Sequence, residues 1–402
     1  MSSDAALQRC VGDVRRFAED HWGREPLLRR AEPGQPGFAD LLDLPDVDHL
    51  VTETLLRMPS FRLVKDGTPL PPATYTTTIR IGSSRVDRTV RPDRVAQAFA
   101  GGATIVLQAL HRMWPPVARF CRDLELSMTH AAQANAYVTP ATSRGFDVHH
   151  DTHDVFVLQT HGHKAWRVYR PVVELAGPDQ PWKKGTTPPG PRVLEAELAP
   201  GDCLYIPRGF LHDAEAREEV SIHVTVGILA STWLDFWRHV IGSASEHFPF
   251  RESLPIGFAR DPHRLLEELP QRSEAFRAWL DEAQTEETVA SFARAFYAGR
   301  RPLLSGQLEQ MERLRTAGPD TRFARRRGSL FGVSVEVDEA VVLLGPTELR
   351  LPAHVEPDLR FVAAVEGPFR PGDLPGTLDD ESRLVLLRRL VREGALEVTG
   401  GR

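Results

Sequence analysis

Residues 145–166 read GFDVHHDTHDVFVLQTHGHKAW, and the order of residue types in this stretch decides the fold. The apolar run DVFVLQT, bounded by glycine and polar punctuation, has the pattern of a buried strand. A tight turn at Gly162 then leads through Lys164 into a second strand-like run, AWRVYRP. Just upstream, His149 and Asp151 are separated by one residue. Side chains two apart in an extended segment project to the same face, so both can grip one ion. A third ligand is then expected from a later strand. His212, in GDCLYIPRGFLHDAEA, follows a strand and a Pro-Arg-Gly turn.

Two neutral imidazoles and one carboxylate on one face of a metal leave open positions for other ligands, the arrangement associated with non-haem Fe(II) oxygenases. Zinc hydrolysis would use the same donors, but the chain has no HExxH. The stretch also offers His150, His153, Asp154, His161 and His163 as alternative ligands, and His153 shares the strand parity of His149. The wider order favours the first set. Strand NAYVTP, the HxD pair, strand, turn, lysine, strand, long loop, turn, strand and His212 is the order a double-stranded β-helix needs to bring distant strands to one mouth.

Working outward, 402 residues allow two or three domains, and 41% hydrophobic with 26% charged residues fits a globular protein rather than a disordered or membrane-embedded one. The net charge of −6 argues against bulk electrostatic capture of nucleic acid. Cys10, Cys121 and Cys203 are far apart and form no CxxC pair, and no signal-peptide core or long apolar span is read, so a cytoplasmic protein without a membrane segment is expected. Of 49 basic residues only Lys65, Lys164, Lys183 and Lys184 are lysines, which reads as a coding bias toward arginine.

Composition divides the chain into three parts. Residues 1–230 hold many short β-type runs, preceded by a helical segment at FAEDHWGREPLL, with Pro171 to Pro200 expected as a long rim loop. Residues 231–305 turn helical, with Thr232 as N-cap and Trp233, Phe236, Trp237, Val240 and Ile241 on one apolar stripe that packs on the barrel or forms a homodimer interface. Residues 306–402 read as strands, a helix stopped at Gly394 and a final strand, the pattern of a small winged helix. Its carboxylates balance its arginines, so nucleic-acid binding is not expected and Arg325, Arg326 and Arg327 read as a solvated loop.

The stretches NAYVTPATSRGFDVHHDTHDVFVLQTHGHKAWRVYRP, GDCLYIPRGFLHDAEA, SIHVTV, TWLDFW and FRESLPIGF resemble the JmjC-type 2-oxoglutarate oxygenases, specifically the ribosomal oxygenase subgroup of the cupin superfamily. The resemblance implies a mixed α and β protein: a double-stranded β-helix JmjC/cupin catalytic domain over 1–230, a helical dimerisation region over 231–305 and a winged-helix domain over 306–402. It implies His149, Asp151 and His212 as Fe(II) ligands and catalytic residues, with 2-oxoglutarate and O2 as cosubstrates. Lys164 matches the basic residue that pairs with the far carboxylate of 2-oxoglutarate, and Asn135, Tyr137 and Thr225 match positions beside it. Where the subgroup has a small hydroxyl residue this protein has Gly227, so one hydrogen bond to the cosubstrate is expected to be missing or replaced by water.

The implied activity is hydroxylation of a C–H bond on a protein side chain, with a ribosomal protein as partner and arginine or histidine as known acceptors of the subgroup. The histidine-rich rim departs from it, and Asp147, Asp154 and Asp213 there would favour a cationic peptide. Alternatives are hydroxylation of a peptide natural-product precursor, lysine demethylation, and a non-catalytic cupin/winged-helix transcriptional regulator.

Overall fold

Strand pairing in the first half of the chain follows from side-chain parity. The computed structural model describes residues 4–32, 34, 37–143, 147–183 and 188–400. The chain divides into two units, Met1–Ala230 and Ser231–Arg402. Strands of the first unit are β1 (Leu27–Arg29), β2 (Phe61–Lys65), β3 (Thr68–Pro69), β4 (Thr76–Ile81), β5 (Ser84–Val90), β6 (Thr104–Leu107), β7 (Ala131–Thr139), β8 (Asp154–His161), β9 (Lys164–Tyr169), β10 (Arg192–Leu198), β11 (Cys203–Ile206), β12 (Leu211–Ala216) and β13 (Ser221–Leu229). They build an eight-stranded sheet in the order β1-β11-β8-β13-β7-β6-β2-β3 and a three-stranded sheet β10-β9-β12. This is a cupin-like double sheet.

The apolar run of β8 is buried on both faces, and its two parities go to two different cores. Phe156 and Leu158 join Ala134, Ala136, Val138, Val224 and Val226 against the N-terminal helices. Val155 and Val157 face inward and pack with Trp166 and Val168 of the smaller sheet. The opposite parity of β7 and β13 puts Tyr137, Thr139, His223 and Thr225 on the inner face, where they line a cavity. The β8–β9 turn requires Gly162, whose φ is +60° and where a Cβ would collide with the Val220 carbonyl.

Several expectations are corrected. FAEDHWGREPLL is helical only as far as His21, and Leu27 and Leu28 are extended, paired with Tyr205 and Leu204. The Pro171–Pro200 segment is not one loop, because Arg192–Leu198 is a strand paired with β9. Its partner is local in space and distant in sequence, which its flanking prolines concealed. TYTTTIRIG pairs with β5 in a separate hairpin and not in the barrel. Lys65 ends β2, where its Nζ donates to the Gly101 carbonyl at 2.6 Å, and Lys184 lies outside the described residues.

In the second unit Thr232 caps the helix Trp233–Ser243 in a reciprocal box with Asp235. Val240, Ala244 and Trp279 form a small core with Phe236, Trp237, Phe250 and Phe276, built by this helix and His263–Ala283. Further along the unit are strands β14 (Arg322–Arg325), β15 (Gly332–Glu336), β16 (Glu339–Leu344), β17 (Thr347–Pro352) and β18 (Leu396–Thr399). They pair as β14-β18 and β15-β16-β17 around helices Glu356–Ala364 and Asp380–Arg392. Of the arginine run only Arg327 lies exposed in a turn; Arg325 and Arg326 are engaged within the fold. Arg325 Nη1 donates to the Ala363 carbonyl at 2.6 Å, and buried Arg326 donates to the Ser305 carbonyl at 2.7 Å and to Gln307 Oε1.

Candidate metal centre and cavity

His149, Asp151 and His212 offer ligand atoms that all lie within 4.8 Å of one another, and they are the one such group among the described residues. Backbone pairing brings them together. His149 N donates to the His212 carbonyl at 3.1 Å and His212 N donates back at 2.8 Å, a two-residue bridge between the HxD segment and the start of β12. The imidazole centroids are 4.5 Å apart, and His212 Nε2 is 3.7 Å from Asp151 Oδ2. His150 and His153 are not in this group, which closes the alternatives left open by spacing.

The tautomers follow from the partners. Nδ1 of His149 donates to the Asp147 carbonyl at 2.8 Å and Nδ1 of His212 donates to the Phe210 carbonyl at 3.1 Å, since a carbonyl can only accept. Each ring therefore turns an Nε2 lone pair toward the shared space, as a metal requires. Burial, and then repulsion from His149, hold His212 neutral, at about 4. Burial pushes the Asp151 carboxyl up, and positive charge on His212 and His149, which a bound cation would supply in their place, draws it below the usual carboxylate range. Two neutral imidazoles and one carboxylate fit a divalent first-row ion.

Behind the three donors lies a cavity enclosing about 520 Å³, mouth included, whose wall carries Tyr137, Lys164, Trp166, His223 and Thr225. Lys164 is 4% exposed, and among the described residues its ammonium has no carboxylate partner. Its Nζ donates to Thr139 Oγ1 at 3.0 Å, and burial pushes its pKa down to about 7. A neutral hydroxyl compensates little of the charge of the protonated amine, which an anion in the cavity would pair with. Tyr137 and His223 stack at 4.9 Å, while Trp166 meets His223 edge-on at 5.3 Å. Burial raises the Tyr137 phenol to about 12, and burial with the charge of Lys164 keeps His223 neutral.

The geometry bears on three of the expectations. Asn135 is one position back from the cavity lining: its Oδ1 accepts from the Ala109 backbone N–H at 3.0 Å, and its side chain hydrogen-bonds the Tyr137 phenol that lines the cavity. At Gly227 a Cβ would collide with the His153 ring, so an imidazole, and not water alone, takes the room a hydroxyl residue would need. Nor do Asp154 and Asp213 form a free acidic rim. Asp154 is fully buried beside Arg208, and Asp213 accepts from Arg167 Nη2 at 2.6 Å and from the Tyr169 hydroxyl at 3.0 Å. Thr104, Thr139 and Trp166, absent from the motif-based expectations, also line the cavity. Their strand parity was the available signal.

Residues 110–236, which hold β7 to β13, match the family model of the JmjC domain. The chain is related to the ribosomal oxygenases. Ribosomal oxygenase 1 of Gallus gallus is 32% identical over 250 residues, covering 60% of this chain and 40% of that protein. Ribosomal oxygenase 1 of Homo sapiens is 37% identical over 170 residues, covering 40% of this chain and 26% of that one. The match thus spans less than half the length of these relatives. Across 96% of this chain and 98% of the other, the fold is that of YcfD, a ribosomal oxygenase from Escherichia coli solved in complex with cobalt and 2-oxoglutarate, at a TM-score of 0.57 and 18% identity.

Proposed function

We propose that the protein is an Fe(II)- and 2-oxoglutarate-dependent oxygenase that hydroxylates a C–H bond on the side chain of another protein, with a ribosomal protein as substrate. The observation that supports this most is the juxtaposition in one cavity of the His149, Asp151 and His212 donors with the buried, carboxylate-free ammonium of Lys164. An Fe(II) ion with 2-oxoglutarate and O2 supplies an oxidant for an unactivated C–H bond, giving succinate and CO2 as co-products.

Each residue then has a task. His149, Asp151 and His212 would hold the metal through two Nε2 atoms and one carboxylate oxygen. Lys164 would pair with the far carboxylate of 2-oxoglutarate, oriented by the Thr139 hydroxyl, so that neither charge stays alone in a low-dielectric cavity. Tyr137 and Thr225 would offer a phenol and a hydroxyl beside the cosubstrate, and Asn135 would orient the Tyr137 phenol through its side-chain hydrogen bond. Trp166, Val155 and Val157 keep water from the inner wall. Two of the three rim carboxylates are engaged within the fold, so a purely acidic lure for a cationic peptide is not part of this reading.

The reading extends to a homodimer formed through residues 231–305, supported by Trp233 at 77% and Ile256 at 89% exposure in a segment with little core of its own. It treats residues 306–402 as a winged helix that does not bind nucleic acid, supported by the internal bonding of Arg325 and Arg326. A cytoplasmic setting is consistent with three buried thiols, none in a disulfide. No helix among the described residues is long and apolar enough to cross a membrane.

The test compares intact masses of ribosomal proteins from cells with and without this protein, and then reconstitutes the reaction with Fe(II) and 2-oxoglutarate. One ribosomal protein should lose the mass of one oxygen atom in the deletion and regain it in vitro with stoichiometric succinate. Unchanged ribosomal masses would remove that substrate in favour of a peptide precursor. Loss of a methyl group from a lysine would instead indicate demethylation, the other activity in the name of NO66 of Aedes aegypti, 28% identical over 265 residues, which cover 60% of this chain and 38% of that protein.

A further inference from the structure

The two segments that bring the metal donors together are joined by more than the backbone bridge. Asp154 lies three residues after Asp151, and its carboxylate is fully buried. Arg208 Nη1 donates to Asp154 Oδ2 at 2.9 Å. The backbone N–H of Arg208, at 3.3 Å, and the Tyr205 hydroxyl, at 3.0 Å, both donate to Oδ1. Tyr205 is held in turn by the Gly23 N–H, which donates to its hydroxyl at 2.9 Å. The next residue, Gly209, donates its N–H to the carbonyl of Asp151 itself at 3.0 Å. Its φ is +88°, and a Cβ would collide with the Val173 carbonyl, so the turn keeps this shape only with glycine. The backbone then runs directly into His212.

We propose that the Pro207-Arg208-Gly209 turn is a clamp on the metal donors, with Arg208 and Asp154 as positioning residues. This rests on the ligand reading above and deepens it. Adjacent residues of one turn grip the HxD segment at two points, the Asp151 backbone and the Asp154 side chain. They thereby fix how far Asp151 stands from His212 on the other segment. Arg208 suits the task because its planar fork fixes direction as well as charge, and its side chain is 14% exposed, so the pair is little screened. Removing one member leaves the other charge buried and alone, a cost borne by the HxD segment and the turn that the pair joins.

The experiment measures Co(II) affinity by its absorption bands, together with the unfolding midpoint of the metal-free protein, for Arg208→Met, Arg208→Lys and the double variant Asp154→Leu with Arg208→Met. Outer partners of metal ligands are typically worth about ten- to a hundred-fold in affinity, and that loss is expected for Arg208→Met, with altered Co(II) bands. Arg208→Lys keeps the charge without the fork and should lose affinity while staying folded, so it decides the matter if the methionine variant cannot be purified. The double variant removes the lone charge but leaves the Tyr205 hydroxyl and the Arg208 N–H without their acceptor, so it should recover part of the midpoint without recovering the affinity. Wild-type affinity in either single variant, or affinity that returns together with stability, would overturn the clamp. Absence of Co(II) binding by the wild type would remove the ligand set and the clamp with it.

Discussion

Lys164→Met should make the ligand-free protein more stable while abolishing its response to 2-oxoglutarate. Methionine keeps the length and volume of the side chain and removes the charge. Burial lowers the ammonium from 10.5 to about 7. At roughly 1.4 kcal/mol per pH unit, carrying that proton into the cavity costs the fold about 5 kcal/mol below pH 7. The hydrogen bond to Thr139, worth about 1 kcal/mol, is lost with the charge, which leaves a net gain of about 4 kcal/mol. Between pH 7 and 10.5 the unfolded protein still binds the proton and the folded one does not, so wild-type stability rises with pH across that window. The advantage of the variant is therefore largest below pH 7 and fades toward pH 10.5. Urea unfolding of the full-length, metal-free protein, read by hydrogen exchange in β7 to β9 at several pH values, measures it. With Co(II) present, 2-oxoglutarate should stabilise the wild type and not the variant. Equal stability at low pH, or a difference that ignores pH, would refute the account of Lys164 as a charge buried for an anionic partner.

Other outcomes follow from the same geometry. His149→Ala and His212→Ala should each abolish Co(II) binding and succinate release, and full turnover in either would remove the ligand assignment. Gly227→Ser should lose about 1 to 3 kcal/mol, since the new Cβ displaces the His153 ring. Adding His153→Ala should restore the melting temperature, and a neutral single variant would show the ring has free room. Arg326→Ala should destabilise the C-terminal module by about 2 kcal/mol, through lost charge-assisted bonds to Ser305 and Gln307, and leave duplex binding as it was. Trp233→Ser with Ile256→Ser should halve the mass seen by sedimentation if the helical segment joins two copies, whereas an unchanged mass removes that interface.

What was legible in the sequence is what depends on near neighbours. The parity of His149 and Asp151, the turn at Gly162 and the cap at Thr232 are local, and each was read from a few residues. The ligand role of His212 was reachable because a turn and a strand precede it directly. Features that failed share one property, a partner far away in sequence. Asp154 and Arg208 are 54 residues apart, and Asp213 and Arg167 are 46 apart, so nothing near either carboxylate distinguishes it from a solvated one. Arg326 looked like part of a basic run for the same reason. Strand β10 hid among prolines because its evidence is the ladder it forms with β9. Asn135 shares the parity of Tyr137 and hydrogen-bonds it, while its Oδ1 also accepts from the backbone of Ala109, a partner no periodicity reveals.

The register of two strands also makes the cavity a ruler. On the β9–β12 ladder Val168 stands opposite His212 and Lys164 opposite Ala216, so four residues separate the ammonium from the imidazole along the strand direction. That is about 13 Å of backbone, spanned from its two ends by side chains and by whatever lies between them. Such a length cannot be adjusted smoothly. A slip of one residue would turn Lys164 outward, and the next inward position is Trp166, roughly 7 Å closer. A dicarboxylate one methylene shorter or longer would have to be met by bending side chains, because the sheet offers no intermediate step. If Lys164 and the metal donors hold the two ends of an anion as proposed, selectivity for its length is quantised by the pleat.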